Sequence, residues 1–181
     1  MKAWRTEVTN IIRHSCGNST LGKFAIAASD RGLVMIEFLR HDGLAALIEQ
    51  LKGRYPEAVI IEDHDFMAES VGRVAALIEC PVGKNDLALD MRGSEFELRV
   101  WNALRDIAAG TTVSYGDIAT RIGAPKQARE VGEACAANLL AVVVPCHRVV
   151  KKNGSVSGYR WGGKRKRELL RREASELVLA A

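Results

Sequence analysis

Four cysteines, at positions 16, 80, 135 and 146, are the strongest nucleophiles in this 181-residue sequence, and one has neighbours that chemistry can use. Cys146 stands in Pro145-Cys146-His147-Arg148, directly after the run Val142-Val143-Val144. An adjacent histidine and basic surroundings lower a thiol pKa and raise its thiolate fraction. Proline fixes the local backbone and biases Val144 towards an extended conformation, so the run reads as a buried strand with Cys146 at its end. A Cys-His dipeptide also has a plainer reading, because most free cysteines are buried small hydrophobes and adjacent side chains need not face each other. Cys135 lacks such neighbours and reads as helix packing, while Cys16 and Cys80 read as structural. No CxxC pair occurs, so neither a disulfide framework nor a closed zinc site is expected, and His14 near Cys16 reads as scatter.

Charge is unevenly spread. The net charge is +4, yet residues 1–92 carry 11 Lys and Arg against 13 Asp and Glu, and residues 93–181 carry 15 against 9. Between Arg148 and Arg172 there are ten basic residues and one acid, Glu168. This fits a polyanionic partner, with nucleic acid the first candidate, or equally a solvated basic helix. With 48% apolar and 27% charged residues the composition is that of a soluble globular protein. The longest apolar stretch, Leu139–Val144, is too short to cross a bilayer, and the opening MKAWRTEVTN lacks a secretory apolar segment. A cytoplasmic protein without a membrane partner is expected.

The elements that must position Cys146 follow from pattern. Phe24 to Ala28 and Leu33 to Leu39 read as strands around the turn Ser29-Asp30-Arg31-Gly32. Leu44, Leu47, Ile48 and Leu51 recur at helical spacing, with Tyr55-Pro56 beyond that helix, and Phe66 to Ile78 is a second amphipathic helix. Pro81-Val82-Gly83-Lys84-Asn85-Asp86 is the clearest break, and a domain boundary is expected after it, giving 1–88 and 89–181. Phe96, Val100, Trp101 and Leu104 form one helical stripe ending before Gly110. In SYGDIATRIGAPKQAREVGEACAANLL, Ser114 suits an N-cap, Ile118, Ala119 and Ile122 face inward, and Gly123-Ala124-Pro125 breaks the helix. A second helix is expected from Lys126 to about Ala137 with Pro125 at its first turn. Two short helices around a tight turn make a helix-turn-helix pattern, which many proteins that bind nothing also contain.

The run PCHRVV, with Asn138 and SYGDIATRIGAPKQAREVG before it and SGYRWGGKRKRELLRREA after it, resembles the O6-alkylguanine-DNA alkyltransferase family. The chain is most similar to the C-terminal part of the bacterial Ada branch. GSEFELRVWNAL and TLGKFAIAASDRGL also match, so the resemblance covers nearly the whole chain, with separate blocks in the right order.

The resemblance implies an α/β protein: an N-terminal α/β domain with a small antiparallel sheet, then a mainly helical, winged helix-turn-helix-like domain that binds DNA and reacts. It implies that Cys146 accepts the alkyl group, that His147 takes the thiol proton through a water, and that Glu173 orients and charges His147. Asn138 would bridge the helix-turn-helix to the active-site strand. Tyr115 would help rotate the nucleotide and protonate guanine N3, and Arg129 would fill the gap in the duplex. Ser114, Lys126 and Gln127 join Tyr115 and Arg129 as expected DNA contacts. Val149, Tyr159, Arg160 and Trp161 would line or flank the base pocket.

The chemistry suits these residue types. An O6-alkyl group is an ether carbon without a carbonyl, so it demands a soft nucleophile, which a Cys-His-Glu relay supplies. The thioether product has no expelling group nearby, so one turnover is expected. Because O6 lies on the paired edge, the nucleotide must leave the stack, and in this family the helix pair enters the minor groove. The expected partner is double-stranded DNA carrying O6-alkylguanine, with O4-methylthymine a weaker substrate, no cofactor and a monomeric protein.

Departures bound the inference. The zinc domain and activating segment of full Ada have no counterpart before Met1, so phosphotriester repair and gene activation are not expected. Ser29 stands where zinc-binding relatives need early cysteines, so no metal is expected. Trp161 replaces a small residue of some relatives and would narrow the pocket. Rival readings are an alkyltransferase-like lesion binder, which would lack Cys146, a Cys-His hydrolase, which would need an oxyanion motif, and a regulator using the helix pair alone.

Overall fold

The computed structural model describes residues 10–39, 43–82, 86–156 and 158–179. Gly83, Lys84 and Asn85 of the sequence break, and residues 1–9 of the opening segment, lie outside the described residues. The N-terminal half contains β1 (Asn10–Ser19), β2 (Gly22–Ser29), β3 (Gly32–Phe38), α1 (Gly43–Arg54), β4 (Ala58–Glu62) and α2 (His64–Glu79). The strands order β3-β2-β1-β4. β1–β2 and β2–β3 pair antiparallel but β1–β4 pair parallel, so the sheet is mixed rather than the antiparallel sheet expected. The parallel strand arises because α1 carries the chain across before β4, as a parallel crossover requires.

β2 is central and covered on both faces, which is why FAIAA is a continuous apolar run. Phe24 and Ile26 face a core with Met67, Val74 and Ile78 of α2, while Ala25 and Ala27 face Leu47 and Leu51 of α1. β3 is the edge onto which the rest of the chain docks. Leu33 N donates to Ala88 O at 2.8 Å, and Ile36 N donates to Leu139 O at 2.8 Å. Gly32 is needed there: its φ is +140°, and a Cβ would stand 2.4 Å from Ala88 O.

The C-terminal half contains α3 (Glu95–Arg105), β5 (Val113–Ser114), α4 (Tyr115–Arg121), α5 (Ala128–Ala137), a 3-10 turn (Cys146–Arg148), β6 (Val149–Val150) and α6 (Gly163–Leu179). Ser94 with Glu97 and Ser114 with Asp117 form capping boxes that start α3 and α4. Gly123, at φ +73°, ends the α4 turn. α5 begins at Ala128, two residues later than expected, because Pro125 and Lys126 are taken up in the turn between the helices. Trp101 Nε1 donates to Ala134 O at 2.8 Å and ties α3 to α5. One apolar core runs from β2 and α2 through α3, α4 and α5 to Val144 and Leu169.

Val142–Val144 is not the strand expected. Val143 N bonds Ala141 O at 2.7 Å and Val144 N bonds Leu140 O at 3.0 Å, closing a turn with Val142 at φ +67°. All three side chains are buried, so the run serves as a core plug in a tight turn, and burial overrides β propensity. Among the described residues no helix is long and apolar enough to cross a membrane.

Candidate active site

Leu139 to Ala141 are fixed on the β3 edge, and the turn that follows swings the chain back to Cys146. Cys146 opens the 3-10 turn and is 4% exposed. Asn138, the residue that ends α5, reaches across to this segment. Its Nδ2 donates to Val144 O at 3.0 Å and approaches Cys146 Sγ at 3.4 Å, while its Oδ1 accepts from Leu140 N at 2.8 Å. The end of the helix pair is thus wired to the thiol.

Burial pushes the Cys146 thiol up to about 11, against the pull of the Asn138 bond and the Lys166 charge. The lowered thiol pKa expected from the Cys-His neighbourhood is therefore corrected: desolvation outweighs the nearby donors and cations. Cys135 is also buried, and burial raises its thiol further, as suits a packing residue. Cys16 is half-buried, whereas Cys80, read as structural, is exposed at the end of α2.

His147 is wholly buried and turns its Nε2 to Glu173 Oε1 at 2.7 Å. Its Nδ1 is buried and has no protein partner among the described residues. Glu173 also accepts from Gly110 N at 2.9 Å and from Arg148 Nε at 3.0 and 3.2 Å. Burial alone would raise Glu173, but the bonds from His147, Arg148 and Gly110 hold it below the usual carboxylate range. Burial lowers His147 against the raising pull of Glu173, and the Arg148 and Lys166 charges add to the lowering. The ring is neutral near pH 7, with Nε2–H donated to Glu173 and Nδ1 left as a bare acceptor; this tautomer follows from the hydrogen-bond network.

Tyr115 begins α4, half-buried beside Gly132 and Gly158, and a Cβ on Gly158 would come within 3.6 Å of its Oη. Burial, followed by the two nearby thiols, raises its phenol to about 12, so it remains a proton donor. Tyr159 lies edge-on to His147 at 6.4 Å and to Trp161 at 5.0 Å. The Tyr159 Oη and Trp161 Nε1 are buried without hydrogen-bond partners among the described residues. Val149 is buried, and its carbonyl accepts from Lys166 Nζ at 2.6 Å, so only its backbone is turned to a polar partner. Arg160 bonds Glu37 at 3.2 Å and Gln50 at 3.4 Å, and its charge also reaches the Cys146 thiol.

On the outer surface, the Arg129 side chain is 88% exposed and pairs with Glu133 at 3.2 Å. Lys126 and Gln127 are exposed in the turn before α5, and the Ser114 hydroxyl accepts from Asp117 N. Among the described residues no group of three or more His, Cys, Asp or Glu could hold a metal ion.

Three contributors were missed in the sequence. Arg148 also donates to Ile107 O and to Pro81 O, pinning both flanks of the relay. Gly110 acts through its backbone. Lys166 hides in a basic run, yet Lys166, Leu169 and Glu173 are all 0% exposed at helical spacing, a phase that could have revealed it.

Comparison with known proteins shows the family. Residues 95–175 match the profile of the 6-O-methylguanine DNA methyltransferase DNA binding domain. The bifunctional transcriptional activator/DNA repair enzyme Ada of Escherichia coli is 44% identical over 163 residues, covering 90% of this chain but only 46% of Ada. The chain thus spans about half the length of its Ada relatives. The inducible methylated-DNA–protein-cysteine methyltransferase of Bacillus subtilis is 37% identical over 157 residues, covering 85% of this chain and 87% of that protein. The crystal structure of Mycobacterium tuberculosis OGT in complex with DNA superposes with a TM-score of 0.75 at 33% identity, covering 91% and 93% of the two chains. With identity of this level over nearly whole lengths, the chain belongs to the methylated-DNA–protein-cysteine methyltransferase family.

Proposed function

We propose that this protein repairs DNA by moving the alkyl group of O6-alkylguanine onto Cys146 in one irreversible turnover. The observation that carries the reading is a buried thiol hydrogen-bonded to the end of a helix pair, next in the chain to a histidine held by a buried carboxylate. Residues 89–181 bind and react, and residues 1–88 support them. The duplex carrying the lesion is the partner, met as a monomer in the cytoplasm.

The thiol proton passes to His147 Nδ1 through a water, and Glu173 stabilises the resulting imidazolium. At a pKa of about 11, forming the thiolate near pH 7 costs on the order of 5 kcal/mol. The relay offsets that cost while the base is bound. Sγ then attacks the alkyl carbon, and the carbon–O6 bond breaks with its electrons going to the purine. Tyr115 Oη gives its proton to N3, and the proton held on His147 returns through water to the Tyr115 phenolate. Cys146 becomes a thioether and guanine is restored. Tyr115 and Arg129 assist extrusion of the nucleotide, and O4-methylthymine reacts by the same steps more slowly.

Intact-mass measurement after incubation with O6-methylguanine duplex tests the reading. A stoichiometric gain of one methyl on Cys146 is expected. Unchanged mass with tight binding would instead identify a non-catalytic binder of the alkyltransferase-like type.

A further inference from the structure

Arg172 and Glu173 are neighbours on α6 but serve different sides of the molecule. Successive helical residues are turned by about 100°, whereas residues seven apart return to nearly the same face. This gives α6 two paired grips. Arg165 and Arg172 hold the turn between β1 and β2: Arg165 Nε donates to Leu21 O at 2.8 Å, and Arg172 Nη2 donates to Thr20 Oγ1 at 2.6 Å. Lys166 and Glu173, each one residue on, hold the reacting segment through Val149 O at 2.6 Å and His147 Nε2 at 2.7 Å.

The bracket behind Arg172 is built from several directional bonds. Its Nη1 donates to Ile78 O at 2.8 Å and to Glu79 Oε2 at 2.9 Å, and its Nε donates to Glu168 Oε1 at 3.1 Å. Thr20 gives its backbone N–H to Glu79 Oε1 at 2.7 Å and its hydroxyl to Oε2 at 2.6 Å. Ile78 and Glu79 close α2, where end carbonyls lack helical partners and a cation complements the helix end. Gly22 stands so close to α6 that a Cβ there would come 3.0 Å from Arg165 Nη2. A lone surface ion pair would hold little, but a planar fork only 13% exposed, with four acceptors, fixes an orientation.

We infer that Arg172, with Thr20 and Glu79, is a positioning residue for the transfer relay, setting the rotation of α6 so that Glu173 meets His147. The hairpin turn of the N-terminal half thereby reaches the chemistry without touching substrate. The groups that bear on the His147 ring are Glu173, Arg148, Lys166 and Tyr159, and the α6 members of that set turn with the helix. Misplacing a reacting group by about 1 Å costs on the order of a hundredfold in rate, so a small rotation is enough to be read.

The inference rests on the proposed transfer reaction, and the test keeps the two apart. Thr20→Val keeps the side-chain shape but removes the hydroxyl, Thr20→Ser restores it, and Arg172→Met removes the fork. Transfer rates on O6-methylguanine duplex are measured against pH, together with duplex affinity, melting temperature and the imidazole NMR signals of His147 in the free protein. Thr20→Val and Arg172→Met are expected to slow transfer about threefold or more, displace the acid limb of the profile and move the His147 signals, with affinity unchanged. Thr20→Ser is expected to match the parent. If rate, profile and His147 signals stay at parental values while only melting temperature falls, the bracket is merely structural and the inference is overturned. If the parent protein itself transfers no methyl, the proposed function fails, and the His147 signals still decide whether the bracket positions the ring.

Discussion

His147 Nε2 lies 2.7 Å from Glu173 Oε1, and neither side chain has exposed surface. Arg148 and Gly110 take up the rest of the carboxylate, so Glu173 is charge-balanced before His147 gains a proton. A neutral ring whose Nδ1 has no partner among the described residues is the outcome, which is the form a general base needs. Glu173→Gln is expected to slow methyl transfer about tenfold or more, and His147→Ala to slow it further. Glu173→Gln also takes from Arg148 its carboxylate partner and leaves it two carbonyls, so the melting temperature falls as well. Equal second-order transfer rates in the three proteins would remove the relay from the mechanism.

The thiols separate cleanly. Cys146→Ala and Cys146→Ser are expected to abolish transfer while duplex binding survives, and Cys135→Ser to retain transfer, as read by intact mass. The resting thiol of Cys146 is expected to ionise near 11, seen as thiolate absorbance lost in Cys146→Ala. A thiolate already formed at pH 7 in the free protein would show that burial does not govern it.

Acid should weaken the fold. His14 and His147 are both held below their ordinary value of 6.5, in each case mainly by burial. The unfolded chain therefore binds these protons more readily than the folded one. Their contribution is complete above about 6.5 and is lost as pH falls below it. The melting temperature is expected to drop between pH 7.5 and 5.5, and an unchanged value over that range contradicts the assignment.

Duplex affinity is expected to fall steeply with salt, because the basic half meets phosphates. Arg129 is 88% exposed on α5, bound only to Glu133 among the described residues, and thus free to exchange that partner for DNA. Arg129→Ala should reduce repair in duplex more than reaction with a free modified base. Equal losses on the two substrates would exclude a part in extruding the nucleotide.

Local signals were legible in the sequence and long-range ones were not. The Ser114 cap, the Gly123 stop and the β2–β3 hairpin are written within a few residues each. β1 was missed because His14 and Ser15 interrupt its apolar pattern, although both are buried in the fold. β4 was missed because a parallel pairing leaves no hairpin signal. Val142–Val144 misled because a buried turn and a buried strand demand the same side chains. Cys146 and His147 stood out by their own neighbourhood, their roles and the part of Glu173 came from the family resemblance, and the opposing directions of Arg172 and Glu173 exist only once α6 is docked.

Trp161 gives the last prediction. It is 3% exposed and packs edge-on against Tyr159 at 5.0 Å, beside the His147 ring that Tyr159 also meets. An indole in that position fills volume that a small residue would leave free, so bulky O6 substituents should meet a steric cost. Each ~1.4 kcal/mol of misfit in the transition state slows transfer about tenfold. Methyl is thus expected to transfer well and benzyl poorly. Removing a buried indole also opens a cavity, and Trp161→Gly should lose about 3–5 kcal/mol of stability. The two effects are separable, because instability lowers both transfer rates together whereas a widened pocket raises benzyl relative to methyl. Second-order rates for O6-methylguanine and O6-benzylguanine, measured below the melting temperature of both proteins, decide it: an unchanged ratio rejects the pocket-wall role.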